Sequence, residues 1–179
     1  MNALWDAYWP VALAAVVIGL NAGAFALRKR GASRFHTRAF ARKRALALAV
    51  GVAVTLTFGA VWHGPVGWGE RFASGIENRS RKTLTDFEMT QVHAQLERGP
   101  LRRTLVLSGS ADDFQRSELV RIMGAVPGVG EARWQDMPEP LRLPLLVEVE
   151  LAALVSFGLG LFMAYLLELR RRSRAQWRW

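Results

Sequence analysis

The chain has 179 residues and a mass of 20.0 kDa, is 51% hydrophobic and carries a formal charge of +9 at neutral pH. It holds no cysteine, which excludes disulfides, thiolate metal sites and a cysteine nucleophile. In a soluble chain so basic a balance would point to nucleic acid, but here the excess is confined to two short segments, and no nucleic acid is expected.

The first apolar block runs from Tyr8 to Leu27, so residues 1–27 are expected to form an external N-terminus and a first transmembrane helix. It approaches the roughly 20 residues a helix needs to cross the hydrocarbon core. A cleaved signal peptide carries positive charge before its apolar core. Here Asp6 precedes the block and the positive charge follows it, which reads as an anchor with its N-terminus outside. Trp5, Tyr8 and Trp9 lie at the outer end, where indole and phenol rings favour the interface. Asn21 is polar but neutral. Ala15, Gly19 and Gly23 recur every four residues, a small-residue stripe that lets helix backbones approach closely in lipid.

Residues 28–44 read as a cytoplasmic loop, with Arg28, Lys29, Arg30, Arg34, Arg38, Arg42, Lys43 and Arg44 and no acid among them. Residues 45–63 read as a second transmembrane helix with its own stripe, Gly51, Thr55 and Gly59, and with Trp62 and Trp68 at its outer end. Thr55 and Thr57 can bond back to their own helix. His63 stands at the end of the span without a second histidine in it, which suits an interfacial histidine better than a haem or metal ligand.

Residues 64–144 are expected to form a periplasmic α/β domain with flanking linkers. Eleven basic and eleven acidic residues leave it uncharged overall. Phe72, Ile76, Leu84 and Phe87 suggest one face of a helix. From Met89 the pattern alternates, with Val92, Ala94 and Leu96 on one side and His93 on the solvated other. Arg98-Gly99-Pro100 is a turn signal, and Thr104–Leu107 a second strand pairing with the first. Ser110 can cap a second helix, with Asp112 and Asp113 in its first turn, an adjacent pair that suits capping better than acid/base chemistry, and with a buried stripe of Leu119, Ile122, Met123 and Val126. Pro127-Gly128 ends that helix, and Val129–Trp134 reads as the last strand. The order is α-β-β-α-β.

Leu105-Val106-Leu107-Ser108-Gly109, then a helix, then Val126-Pro127-Gly128-Val129 resembles the BON family, small domains of bacterial envelope proteins, over about Gly75–Asp136. The resemblance implies a BON-like fold and a role in binding phospholipid surfaces or envelope proteins. It supplies no catalytic residue, and it does not extend to the membrane blocks.

Residues 145–169 read as a third transmembrane helix whose stripe is Ser156, Gly160 and Ala164. Glu148 and Glu150 at its outer entrance are expected to be a hydrated interfacial pair, or to pair with Arg142, rather than to conduct protons. Residues 170–179 form a basic cytoplasmic tail with Arg170, Arg171, Arg172, Arg174 and Arg178, closed by Trp177 and Trp179. The N-terminus is thus expected to be periplasmic and the C-terminus cytoplasmic, in a bacterial inner membrane.

The sequence offers no nucleophile elbow, phosphate loop or metal-ligand cluster. The expectation is a non-enzymatic accessory or scaffold subunit of a larger membrane complex, photosynthetic or respiratory. It would have no cofactor of its own, would contact membrane lipids and other integral membrane subunits, and could touch lipids or pigments of its host. The alternative is a free-standing envelope protein whose domain binds phospholipid or envelope proteins.

Overall fold

A computed structural model describes residues 3–27, 38–64 and 66–176, with side chains described over 8–27, 41–64, 66–174. Among these described residues, five helices and three strands follow in the order α1 (Ala3–Leu27), α2 (Arg38–His63), α3 (Trp68–Asp86), β1 (Val92–Arg98), β2 (Leu101–Gly109), α4 (Asp113–Gly124), β3 (Glu131–Trp134) and α5 (Leu145–Gln176). The chain divides into two compact units. One holds Trp62–Glu148 with the N-terminal residues to Ala7, and the other holds Tyr8–Val61 with Val149–Trp179.

Among the described residues, three helices are long and apolar enough to cross a membrane, over Tyr8–Leu27, Ala41–His63 and Leu145–Arg174, each with a mean hydropathy of 2.0. The protein is therefore a membrane protein carrying a small extramembrane domain. Helix and apolar block do not coincide at the basic ends. Helix α2 begins at Arg38, inside the segment expected as loop, and α5 runs to Gln176, through most of the expected tail. Arginine and lysine are good helix formers, so the charge that ends the membrane-compatible stretch does not end the helix.

In the extramembrane domain, α3 buries Phe72, Ala73, Ile76, Ser80 and Leu84, a spacing of three and four that makes one face. Phe87, expected on that face, caps the helix instead and stays exposed. Strands β1 and β2 form an antiparallel hairpin and β3 adds to β2 in parallel, in the order β1-β2-β3. Helix α4 supplies the crossover that a parallel pair requires. The register sets Leu96, Leu105 and Ala132 in one row and Ala94, Leu107 and Trp134 in the next. Helix α3 packs on β1 and α4 on β3. The core is Ile76, Leu84, Leu96, Leu105, Leu107, Leu119, Met123 and Trp134, all 3% exposed or less.

The cap of α4 is Asp112, not Ser110. Its carboxylate accepts from the Gln115 backbone N–H at 2.7 Å, and the Gln115 side chain accepts in return from the Asp112 N–H at 3.1 Å. This capping box satisfies two N–H groups that the first turn would otherwise leave unpaired. Gly109 and Gly128 have φ of 123° and 103°. A Cβ at Gly109 would stand 2.1 Å from the Gln91 carbonyl, so only glycine lets β2 end there. Gly128 lies beyond the C-cap, Ala125, so it serves the loop into β3 and not the helix end.

Candidate functional site

The membrane unit is built on small residues turned inward. Buried positions on α1 are Val11, Ala15, Gly19, Gly23 and Ala26, and on α2 Gly51, Thr55 and Gly59. A Cβ on Gly19 would lie 2.2 Å from the Phe157 carbonyl oxygen, and one on Gly160 would lie 2.2 Å from that of Val16. Helices α1 and α5 therefore meet backbone to backbone. Gly23 faces Ala164, and Gly51 meets both the Phe157 ring and Ala22, so α2 joins the same contact. Thr55 is buried and returns its hydroxyl hydrogen to the Gly51 carbonyl at 2.9 Å. On α5 the buried line is Ala153, Phe157, Gly160 and Ala164, and Ser156, expected on that line, is half-buried beside it.

Bulky apolar side chains face outward from the same helices: Leu13, Val17 and Phe25 on α1, Leu46, Val50 and Val54 on α2, and Val155 and Leu159 on α5. Among them stands Asn21, which is exposed. Its Nδ2 donates to the Val17 carbonyl at 2.8 Å. Ala45, Ala49, Ala53, Thr57 and Ala60 make a second line of small residues on α2, also exposed.

Glu148 and Glu150 separate, and neither pairs with Arg142. Glu148 meets Arg103 of β2 at 3.3 Å, and Arg103 also donates through Nε to the Gly128 carbonyl at 3.1 Å. Arg142 instead pairs with Glu131 at 3.2 Å and donates to the Gly130 carbonyl. These two arginines tie the linker before α5, and its first turn, to the entrance of β3. Glu150 lies against α2: a Cβ on Gly59 would be 2.5 Å from its Oε1, and its Oε2 is buried without a hydrogen-bond donor among the described residues.

The sheet face away from the helices carries a chain of charges. Arg102 meets Glu97 at 2.8 Å and Glu139 at 3.6 Å, and Glu139 lies 4.0 Å from Arg133. Arg133 is 8% exposed and donates to the Met137 carbonyl at 2.9 Å. Thr104, fully buried beside Glu131 in the register, has a hydroxyl with no partner among the described residues. The strand alternation indicated the outward face, but not that Met137 and Glu139 would meet its arginines.

His63 is half-buried at the end of α2, with its imidazole against Gly69, and His93 is exposed on β1. No group of three or more His, Asp or Glu suited to a metal occurs among the described residues. Of the expected interface anchors, Trp9 is 44% exposed, Trp62 is half-buried, and Trp68 stacks on Phe72 with ring centroids 5.6 Å apart. The side chain of Trp5, and Trp177 and Trp179, lie outside the described residues. Trp134, not singled out by the sequence, is the largest core side chain. Its Nε1 donates to the Arg116 carbonyl at 3.1 Å while the Arg116 guanidinium sits 4.6 Å over its ring. Arg116 also holds Asp136 at 2.6 Å, which keeps the Asp136 carboxyl below its usual pKa.

No family model matches the chain, and no curated protein or solved structure matches it.

Proposed function

We propose that this protein is a non-catalytic accessory subunit of a larger bacterial inner-membrane complex, of the photosynthetic or respiratory kind. Its spans would dock on other membrane subunits and its domain, BON-like and periplasmic, would contact their outer surface. In this reading the N-terminus is periplasmic, the basic segments are cytoplasmic, and the protein brings position and affinity rather than a cofactor.

The observation that carries the reading is Asn21. It lies six residues inside the end of the span Tyr8–Leu27, about 9 Å along the helix. It is exposed on an otherwise apolar wall with Leu13, Val17, Ala24 and Phe25. An amide bathed in hydrocarbon leaves its oxygen without a donor, and membrane helices relieve this by hydrogen bonding to one another. The outward line of small residues on α2, on the face opposite the buried Gly51, Thr55 and Gly59, offers a second surface for close approach. The helix contacts inside the chain are made through its glycines, and the bulky apolar side chains face outward, toward lipid or a partner.

Purification from native membranes in mild detergent tests this. The protein should travel with larger membrane subunits at fixed stoichiometry, and Asn21→Leu should weaken that association by about three- to thirtyfold, the equivalent of one interhelical hydrogen bond of about 0.6–2 kcal/mol. A wild-type protein that elutes alone would replace this reading with the free-standing envelope protein. Leu141 and Leu143, exposed in the linker before α5, would suit such a protein by giving its domain an apolar contact with the bilayer surface.

A further inference from the structure

At the basic end of the membrane unit the three helices do not close. An open groove of about 310 Å³ lies between them, walled by Gly23, Ala26 and Leu27 of α1, Leu48 of α2, and Phe162 and Tyr165 of α5. Apart from the Tyr165 hydroxyl these walls are hydrocarbon. The volume falls at the lower end of the roughly 300–1,000 Å³ range of ligand sites. We propose that this groove is a binding site for an anionic phospholipid, with an acyl chain along its walls and the phosphate held at its mouth by Arg172.

Arg172 is fixed at that mouth by two hydrogen bonds. Its Nη2 donates to the Leu27 carbonyl at 3.4 Å, and Leu27 is itself a wall of the groove. Its Nε donates to Glu168 at 3.0 Å. A guanidinium has five N–H donors in a planar fork, so these two bonds orient it and leave others for a phosphate, the anion that this fork fits best. It is also 45% exposed on its side chain, so a headgroup can reach it. The bond to Leu27 matters for a second reason. It covers a carbonyl at the C-terminal end of α1, where the helix dipole would otherwise repel an anion.

The surrounding charge favours the same ligand. On α2, Arg44 precedes Leu48 by one turn and so lies on the groove side of that helix. Arg42 and Lys43 precede it, and no acid occurs on α2. On α5, Arg170, Arg171 and Arg174 surround Arg172, and the nearest acid, Glu168, is already paired with Arg172. Basic pockets between membrane helices attract anionic headgroups in this way, while the apolar walls select a ligand with a hydrocarbon tail over a free phosphate. The site is independent of the accessory-subunit reading, because all its residues belong to this chain.

Native mass spectrometry of the purified full-length protein tests the site, using phosphatidylglycerol and phosphatidylcholine with identical acyl chains as probes. Phosphatidylglycerol should be retained at least tenfold more tightly. Arg172→Gln should remove most of that preference and leave phosphatidylcholine unchanged. Arg174→Gln removes the same charge two residues along, on a different face of the helix, and should cost less than threefold. Leu48→Trp fills the groove and should weaken both lipids. The two arginine variants carry the test alone should Leu48→Trp fail to fold. Equal retention of the two lipids, or equal losses in Arg172→Gln and Arg174→Gln, would overturn the site in favour of diffuse surface charge. Tight binding undisturbed in a folded Leu48→Trp protein would also overturn it, by taking the chain out of the groove.

Discussion

Two glycines of α5, two residues apart, offer a direct test of how the membrane unit holds together. A Cβ on Gly160 would stand 2.2 Å from the Val16 carbonyl oxygen and 2.8 Å from the Leu20 nitrogen, whereas a Cβ on Gly158 meets nothing within 4 Å. Carbon–oxygen contacts between packed helices run at about 3.3–3.6 Å, so Gly160→Ala must push α1 and α5 apart by roughly 1 Å. Backbone atoms cannot rotate away as a side chain can. A gap of roughly 0.5–1 Å forfeits about a quarter to a half of each dispersion contact across it, and overpacking of this kind costs about 1–3 kcal/mol. Both substitutions make the same gain in helix propensity, about 0.5–1 kcal/mol in water, so the difference between the two alanine variants isolates the clash. We expect Gly160→Ala to be less stable than Gly158→Ala by about 1–3 kcal/mol, and Gly158→Ala to match or exceed the wild type. Gly19→Ala should behave like Gly160→Ala. The double variant should lose less than the two single losses together, because helices already parted give the second methyl room. Unfolding by added SDS in mixed micelles, followed by far-ultraviolet circular dichroism, reads these differences. Coincident transitions for Gly158→Ala and Gly160→Ala would refute the close helix contact.

The domain supplies further tests. Asp112→Ala should cost the protein about 1 kcal/mol by removing the α4 cap, while Ser110→Ala should be close to neutral in the same denaturation assay. Thr104→Val should leave stability unchanged or raise it by about 1 kcal/mol, since a buried hydroxyl without a partner costs more than a methyl in its place; a clear loss would mean that the hydroxyl is hydrogen-bonded. The Asp136 carboxyl is held below its usual pKa, first by its hydrogen bond from Arg116. Its contribution is therefore fully present above the unfolded value of about 3.9 and lost as pH falls through the lower folded value. Asp136→Asn should flatten the stability profile below about pH 4 and leave the neutral-to-alkaline limb unchanged.

Much of the architecture was legible because it rests on period and length. The three spans follow from apolar runs, and the order α-β-β-α-β from a change of period between Phe87 and Val92. Helix ends were less legible. Arg38–Arg44 and Arg170–Arg174 look like loop and tail to a reading that seeks apolar residues, yet they are helical. The capping box was present in the spacing of Asp112 and Gln115, but Ser110 offered an equally good cap two residues earlier, and only the backbone path decides. The α5 stripe shows a different limit. Ser156 and Ala153 are both small, so spacing alone leaves two faces open, and the fit of Phe157 against Gly19 and Gly51 chooses between them. Which partner Glu148 takes depends on residues 45 positions away in the chain. No local pattern encodes that pairing. The groove at the basic end was equally hidden, because its walls come from three helices and its mouth from the contact of Arg172 with Leu27.

The central claim is that this protein contributes position and affinity, and not chemistry, to a larger complex. It is tested most directly by purifying that complex with His63→Ala, His93→Ala or Glu150→Gln in place of the wild-type subunit, and measuring both subunit occupancy and turnover per assembled complex. The account expects turnover per complex within about twofold of wild type for all three, well under the tenfold that a lost 1.4 kcal/mol of transition-state stabilisation would produce. A variant, Glu150→Gln above all, that assembles to full occupancy yet loses most of its turnover would contradict it and assign this half-buried carboxylate a role in the reaction.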